Sequence, residues 1–379
     1  MSVVYWILMS SLMVVGYAWV GYPLLVFVLA ALFSRSRRVQ KQSNDPYVSI
    51  IIPVHNEEER IARKVADCLE FRYPPDRIEI IVASDDSIDQ TEKIVRGIAE
   101  RDSRVHWLPS KGRVGKSGVQ NLAAQHARGA LLFFTDANTV VPPGVLLNMV
   151  QSLADETVGL STATVFFGQG EDPVERGQGF YWRYELRLRF AESHLGTLAT
   201  GSGQALLVRR ELFRPLPPFY GDDCIMPLDV RIQGYRIIQE REATVFDVMP
   251  HSIEGELRTR IRMTARNWAG TLSRPTVLNP LRFPLTSLGL VSHKLLRWLT
   301  PFFLAIILLC ASLLALQGEF RLLWSLQIVF YLSALIGWEL TRRQRAAWIF
   351  GYPFSFCLAN VGFLLGMVKA FRSQKIVAY

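Results

Sequence analysis

The sequence predicts an α/β domain with a doubly wound sheet, flanked by apolar helices long enough to cross a membrane. Two observations carry this prediction. Strand-like and helix-like segments alternate between residues 47 and 135, and long segments without charge lie near both ends of the 379-residue chain. Alternating strands and helices form a parallel sheet with helices on both faces. An apolar helix of about 20 residues spans the hydrocarbon core of a bilayer.

The first membrane segment is the uncharged stretch of residues 1–34, because Arg35 is the first charged residue. It is too long for a signal peptide and lacks a basic start and a cleavage site, so we expect a retained anchor. Residues 291–379 are expected to form a membrane region with about three spans. Its uncharged runs are Trp298–Gly318, Leu322–Trp338 and Ala346–Val368. The interruption by Gly351, Tyr352 and Pro353 predicts a kink or a re-entrant course for the last run.

Basic residues near the ends of these segments predict the orientation, since they favour the cytoplasmic side of a membrane. They follow the first and third segments and precede the second: Arg35, Arg37, Arg38, Lys41, His293, Lys294, Arg297, Arg342, Arg343 and Arg345. The region 42–290 is therefore expected to be cytoplasmic, on an inner or plasma membrane, with the N-terminus outside. One feature disagrees, because four spans would place Lys369, Arg372 and Lys375 outside.

The composition argues against other classes of protein. The net charge of +9 is explained by basic residues that flank membrane segments and contact anionic lipids. No nucleic-acid recognition module is present, so no nucleic-acid partner is expected. The cysteines are scattered and the cytosol is reducing, so we expect no disulfides, and the histidines show no zinc-site spacing. The sequence does not indicate whether the protein has protein partners.

The α/β domain is predicted element by element from apolar periodicity. Predicted strands are Tyr47–Val54, Ile78–Ala83, Val105–Leu108, Ala130–Thr135 and Gln204–Arg209. Predicted helices are Glu57–Leu69, Thr91–Arg101, Ser117–Arg128 and Cys224–Ile232. Aromatic and arginine residues mix between Phe180 and Phe190, which predicts a surface-seated helix whose contacts are mainly with the membrane.

Polar side chains follow each of the first four strands. They are His55-Asn56-Glu57, Asp85-Asp86, Lys111 to Lys116, and Asp136 with Asn138. Ligands of such sheets bind beyond the carboxyl ends of the strands. Polar turns are ordinary singly, but four at one edge predict a ligand site.

The residue types of this edge suit a phosphate-bearing ligand with a metal ion. Asp136 and Asn138 offer oxygen ligands for Mg²⁺ or Mn²⁺, although a capped turn would look the same. The glycine-rich, cationic loop Lys111–Lys116 suits close approach to phosphates, although it also suits a solvated turn. A P-loop is excluded because Ser110 stands where its first glycine is required, which argues against an ATPase.

Two later segments add candidate chemistry. Asp222 and Asp223 are adjacent acids, so one can serve as a base while the other caps a helix or contacts a metal ion. Arg262 and Arg266 belong to an arginine-rich stretch between Arg258 and Arg274. That stretch predicts either an interfacial helix or cations for a leaving diphosphate.

Together these residues resemble the family 2 glycosyltransferases with the GT-A fold, a Rossmann-like mixed sheet, including the membrane-bound polysaccharide synthases. The motifs that carry the resemblance are PVHNE from Pro53 to Glu57, SDDSID from Ser84 to Asp89, GKSG from Gly115 to Gly118, Asp136-Ala137-Asn138, and Asp222-Asp223. The last two are similar to the D-x-D motif and to the E-D pair that ends at the catalytic base.

The resemblance implies an inverting transferase that uses a nucleotide-sugar donor, UDP-sugar by default, and a glycan or lipid acceptor. Asp223 would be the base, with Asp222 beside it. Donor-binding positions would be Pro53, His55, Glu57, Asp85, Lys116, Arg262 and Arg266, with Asp136 and Asn138 at a divalent metal ion.

Some positions depart from the family pattern. Asp86 replaces a usual glycine and Asn138 a usual aspartate. The processive synthases carry Q-x-x-R-W-x-x-G, where this chain has Met263, Arg266 and Asn267, unless Trp268 substitutes by a one-residue shift. The changes in the Q-x-x-R-W-x-x-G motif weaken the case for a long-chain synthase, so we expect a short product or a single addition at least as readily as a long chain. They also leave an alternative, a non-catalytic nucleotide-sugar-binding membrane protein that regulates a glycan assembly complex.

Overall fold

The computed structural model describes residues 3–33, 45–167, 173–247, 252–345 and 348–372. The basic residues 35–41 and Lys375, which entered the prediction of orientation, lie outside these ranges. So does Ala346, the predicted start of the last apolar run.

A seven-stranded mixed sheet forms the centre of the α/β domain, in the order β3-β2-β1-β4-β6-β5-β7. The strands are β1 Val48–Val54, β2 Ile78–Ser84, β3 Val105–Pro109, β4 Leu131–Thr135, β5 Val158–Phe167, β6 Ala205–Arg209 and β7 Arg236–Asp247. The first four pair in parallel, as predicted. β6 runs antiparallel to both of its neighbours, which makes the sheet mixed.

The helices, in chain order, are α1 Val3–Gly16, α2 Tyr22–Phe33, α3 Ile61–Leu69, α4 Thr91–Ala99, α5 Gly115–His126, α6 Val145–Ser152, α7 Pro173–Leu195, α8 Asp222–Ile232, α9 Ile253–Leu272, α10 Pro284–Gly289, α11 Leu296–Leu316, α12 Arg321–Arg342 and α13 Gly351–Phe371. A π-helical turn, Tyr17–Gly21, joins α1 to α2, and a second, Leu290–Leu295, joins α10 to α11.

Burial explains why the strands read as apolar runs. Every residue of β1 and β2 is buried, because helices cover both faces of the sheet. One core, which includes Ile50 and Phe133, packs under α3 and α6. The other, which includes Ile51 and Phe134, packs under α5 and α8. Alternate residues of one strand therefore serve opposite cores.

The five predicted strands agree with the structure to within a residue or two, whereas three other elements differ from the prediction. β5 and β7 have no counterpart in the predicted elements. The helix predicted from Glu57 begins only at Ile61, because Glu57 and Glu58 form a turn whose backbone N–H groups bond Thr91 and Asp89.

The prediction that residues 180–190 mainly contact the membrane is wrong. In α7, Glu185 and Arg189 are buried. Glu185 contacts His293, Lys294 and Arg297 at 2.9–3.0 Å. Glu185 therefore belongs to an interior polar cluster between α7, the segment Leu290–Leu295 and the start of α11.

Four helical segments of the described chain could cross a membrane by length and composition. They are Val3–Phe33, Pro284–Leu316, Arg321–Arg342 and Gly351–Phe371. Leu8 of α1 packs with Ile307 and Leu314 of α11. Tyr22 and Val26 of α2 pack on α7, which joins the first segment to the α/β domain.

Helix α13 lies along α9 and runs in the same direction. A Cβ on Gly362 would meet Arg260, and one on Gly366 would meet Thr264. Further along, Phe371 contacts the ring of Trp268. These contacts follow the order of both helices, so the two glycines let the backbones approach closely over several turns.

Candidate active site

A cavity of about 500 Å³ lies at the carboxyl edge of the sheet. Its wall brings together most of the predicted site residues: Pro53, Glu57, Lys116, Asp136, Asn138, Asp222, Asp223, Arg262 and Arg266. Parallel strands end at the same edge, so residues far apart in the chain meet here.

Lys116 is the central cation of this cavity. It stands in the first turn of α5, and its Nζ lies 2.7 Å from Asp136 Oδ1 and 3.0 Å from Asp222 Oδ2. Burial by itself would lower the pKa of Lys116, but the two carboxylates raise it above its ordinary value. Lys116 therefore stays charged and links the loop after β4 to the start of α8.

The adjacent acids Asp222 and Asp223 have opposite environments. Burial opposes ionisation of Asp222, yet Lys116 and Arg266 lower its pKa to about 2. Gln120 Nε2 also donates to Asp222, at 2.9 Å. Burial and the negative charge of Asp222 raise the pKa of Asp223. Asp223 is only partly buried and lines the cavity, so it is the acid of the pair suited to accept a proton.

Asn267 and Gly221 position Asp223. Asn267 Nδ2 donates to Asp223 Oδ2 at 3.3 Å. A Cβ on Gly221 would collide with the side chains of both residues. Only glycine fits before the acid pair, because any side chain at position 221 would collide with its neighbours. Asn267, which the sequence showed only as a departure from the Q-x-x-R-W-x-x-G motif, donates a hydrogen bond to Asp223.

Helix α9 supplies the arginines of the cavity. Arg266 donates to the carbonyl oxygen of Tyr220 at 2.5 Å, and Arg262 lines the wall one turn earlier. Burial and the charge of Arg266 lower the pKa of Arg262. Trp268 does not substitute for the motif tryptophan, because it faces away and packs on Trp298.

The donor set near Asp136 fits a hard cation. Asn138 Nδ2 donates to Asp247 Oδ1 at 3.0 Å, and Gln204 donates to the other oxygen of Asp247. Across the described ranges, His, Cys, Asp and Glu side chains form no group of three or more that could hold a metal ion. Mg²⁺ usually takes only one or two protein carboxylates and completes its shell with water and phosphate oxygens. Asp247, at the end of β7, was missed because its strand was not predicted.

Asp85 and His55 stand beside the cavity rather than in its wall. The buried carboxylate of Asp85 accepts hydrogen bonds from the backbone N–H groups of Val114 and Gly115, at 2.6 and 2.9 Å. It also pairs with Arg113 at 3.0 Å. His55 Nδ1 lies 2.8 Å from the carbonyl oxygen of Asp85. Asp85 therefore holds the loop that presents Lys116.

Two further positions, Asp86 and Glu57, lie in the loops that follow β2 and β1. Asp86, which replaces a usual glycine, has φ 58°. Aspartate tolerates this left-handed conformation better than most residues, so the turn survives the replacement. Glu57 pairs with Arg60 at 3.1 Å at the mouth of the cavity.

Comparison with known proteins shows which family part of this sequence matches. Residues 49–216 match the model of glycosyl transferase family 2. A β-monoglucosyldiacylglycerol synthase of Nostoc sp. is 26% identical over 191 residues, which cover 49% of this chain and 41% of that protein. An N-acetylglucosaminyltransferase of Mesorhizobium japonicum is 25% identical over 253 residues, which cover 62% and 57%. The chain spans about half the length of the curated relatives it matches.

A solved structure shows the same fold over nearly the whole chain. A mannosyltransferase of Pyrobaculum calidifontis in complex with GDP-Man and Mn²⁺ superposes with a TM-score of 0.71 at 22% identity, covering 97% of this chain and 99% of that chain. Residues 49–216 therefore match glycosyl transferase family 2, and the chain has the GT-A fold, as the motifs predicted.

Replacing Lys116 by methionine tests its central place. The change leaves the buried Asp222 without its cation, and breaking a buried ion pair costs about 3–5 kcal/mol. We expect a clearly lower thermal unfolding midpoint for the purified protein. The control Lys93→Met removes an exposed lysine and should change stability by about 0.5 kcal/mol or less. Equal midpoints for the two variants would contradict the role given to Lys116.

Proposed function

We propose that the protein is an inverting glycosyltransferase that moves a sugar from a nucleotide-sugar donor to a glycan or lipid-linked acceptor. The observation that carries the proposal is the split between the two adjacent acids. Asp222 is ionised and paired with Lys116, whereas Asp223 has a raised pKa and faces the cavity. A carboxylate with a raised pKa is suited to take the proton of an attacking hydroxyl group.

The remaining side chains of the cavity would bind the donor. Lys116, Arg262 and Arg266 bring positive charge to one wall, which suits a diphosphate. A divalent cation, Mg²⁺ or Mn²⁺, held by Asp136 and Asn138 beside Asp247 would offset negative charge on the leaving group. Pro53 and Glu57 lie at the end of the cavity near β1, where the nucleoside is expected, with Asp85 and His55 close by.

The relatives support the class of reaction and leave the sugar open. One is named as a glycolipid synthase and another as an N-acetylglucosaminyltransferase. The fold relative is a mannosyltransferase in complex with GDP-Man and Mn²⁺. A UDP-sugar stays our first donor to test, and a GDP-sugar is the second.

Replacing Asp223 by asparagine tests the base. We expect kcat for sugar transfer to fall about 10²- to 10⁴-fold, the usual contribution of a general base. Binding of the nucleoside diphosphate should be nearly unchanged, because the donor contacts remain. The control Asp76→Asn, at an exposed side chain, should keep full activity.

Two results would contradict this proposal in different ways. Full transfer by Asp223→Asn would remove the assignment of the base. Nucleotide-sugar binding without transfer or donor hydrolysis by the wild-type protein, over a panel of donors and metal ions, would favour the non-catalytic alternative.

The pH dependence of transfer tests the contact of Asn267 with Asp223. The base must be ionised, so activity falls as the pH drops through the pKa of Asp223. The N–H of Asn267 favours the ionised carboxylate and lowers that pKa. In Asn267→Ala the acid limb of kcat/KM should therefore move to higher pH. An unchanged limb would mean that Asn267 is only a packing residue, and Leu272→Ala serves as the control on the same helix.

For the membrane arrangement we propose an anchor in residues 1–34, a cytoplasmic transferase domain in 42–290 and a membrane region in 291–379. The close parallel packing of α13 on α9 supports a refinement, in which α13 lies along the membrane face and does not cross. Both its ends are then on the side of the α/β domain. This arrangement also places Lys369 and Arg372 in the cytoplasm, in agreement with the rule for basic residues.

Epitope tags in sealed, oriented membrane vesicles test this topology. A tag after residue 379 should be accessible from the same side as a tag inserted in an exposed loop of the α/β domain. A tag before residue 1 should be accessible only from the opposite side, which provides the internal control. Terminal tags that are accessible from the same side would mean that α13 crosses the membrane.

A further inference from the structure

A second cavity, of about 260 Å³, meets the donor cavity at Asp223. Both are lined by Gly203, Gln204, Asp223, Met263 and Asn267. From there the second cavity extends to Trp298 of α11 and Phe363 of α13, two of the candidate membrane helices. The proposed base is therefore reached from the donor on one side and from the membrane helices on the other.

The size and walls of this cavity suit part of an amphipathic molecule. Drug-sized ligands occupy about 300–1,000 Å³, so 260 Å³ suits a head group rather than a whole lipid. At its outer end Trp298 and Phe363 pack together with Trp268 and Met367. Neighbouring apolar side chains of α11 and α13, such as Phe302 and Val361, are exposed where acyl chains would lie.

Three cations in the wall have carboxylate partners. Lys294 and Arg297 share Glu185, at 2.9 and 3.0 Å, and Arg260 pairs with Glu256 at 2.6 Å. Burial alone would raise the pKa of Glu185, but the basic groups around it hold it well below its ordinary value. These pairs set three cations against two carboxylates, so the net charge of the wall depends on the other charged groups around the cavity.

The buried Arg189 is also compensated. Its Nε donates to Gln239 Oε1 at 3.0 Å and its Nη2 to the carbonyl oxygen of Thr200 at 3.2 Å. Burial lowers its pKa, and the charges of Glu185, Glu192 and Asp223 oppose that effect. The acidic and basic groups around this cavity are thus close to balance.

The nucleophile follows from the position of Asp223. A phosphate group is already ionised at neutral pH and attacks without a base, whereas an alcohol must lose a proton as it attacks. With a phosphate as the nucleophile, Asp223 would have no proton to accept at the junction of the two cavities. The geometry therefore favours an alcohol as the nucleophile.

We infer that the 260 Å³ cavity binds the uncharged, hydroxyl-bearing head group of a membrane lipid, which is the acceptor of the sugar. This inference rests on the proposed function. The hydroxyl oxygen forms a bond to the anomeric carbon of the donor. The bond from that carbon to the diphosphate oxygen breaks, its electron pair leaves with the nucleoside diphosphate, and the hydroxyl proton passes to Asp223.

The test uses the full chain in vesicles of phosphatidylcholine with labelled nucleotide sugars. Diacylglycerol, a polyprenyl phosphate and a soluble oligosaccharide are offered separately, and hydrolysis of the donor is measured alongside. Thr259→Trp fills the cavity from α9, because Thr259 lines it and is partly exposed. Leu272→Trp adds the same side chain at an exposed position of α9 outside the cavity wall.

We expect the wild-type protein to glycosylate diacylglycerol and to leave the polyprenyl phosphate unmodified. Thr259→Trp should lose at least about tenfold of lipid transfer, a change of about 1.4 kcal/mol in the barrier, while donor hydrolysis stays close to wild type. Leu272→Trp should keep both activities.

Several outcomes would overturn the inference. Transfer to polyprenyl phosphate or to the soluble glycan alone would refute the neutral lipid and leave the proposed function intact. Undiminished lipid transfer by a folded Thr259→Trp would refute the cavity. If that variant does not fold, the acceptor comparison with the wild-type protein still decides. Absence of both hydrolysis and transfer in the wild type would instead count against the proposed function.

Discussion

The site depends on one buried ammonium group held between two carboxylates. Lys116 on α5 contacts Asp136 after β4 and Asp222 at the start of α8, so three separate elements meet at a single charge. Its loop is held in turn by Asp85 at the end of β2. Because an unpaired charge is costly to bury, each of these groups requires the others. The same arrangement keeps Asp222 ionised and leaves its neighbour as the acid with the raised pKa.

The environment, rather than the residue type, separates the roles of the two adjacent acids. Asp222 is turned toward Lys116 and Gln120 and is buried. Asp223 is turned toward the junction of the two cavities, where Asn267 is its hydrogen-bond donor. Two like charges side by side resist joint ionisation, so the pairing of one raises the pKa of the other. The two cavities thus meet at one carboxylate.

The apolar helices that could cross a membrane pack directly against the α/β domain. Helix α9 lines the donor cavity with Arg262 and packs on α13 through its opposite side. Helix α7 packs Leu188 and Ala191 on α2 and buries Glu185 against the segment that leads into α11. An acceptor drawn from the bilayer would therefore reach Asp223 without leaving the protein surface.

The sequence by itself predicted the apolar segments long enough to cross a membrane, the first four strands and the polar loops at their ends, because local apolar patterns and motif spacing record them. Many residues of the cavity wall lie in these loops, so they could be predicted from the sequence. Only the tertiary structure decided that Asn138 pairs with Asp247, that Glu185 is interior, that Trp268 faces away and that α13 lies along α9. These features depend on contacts between residues distant in the chain, such as 109 positions for Asn138 and Asp247. Such contacts leave no periodicity in the sequence.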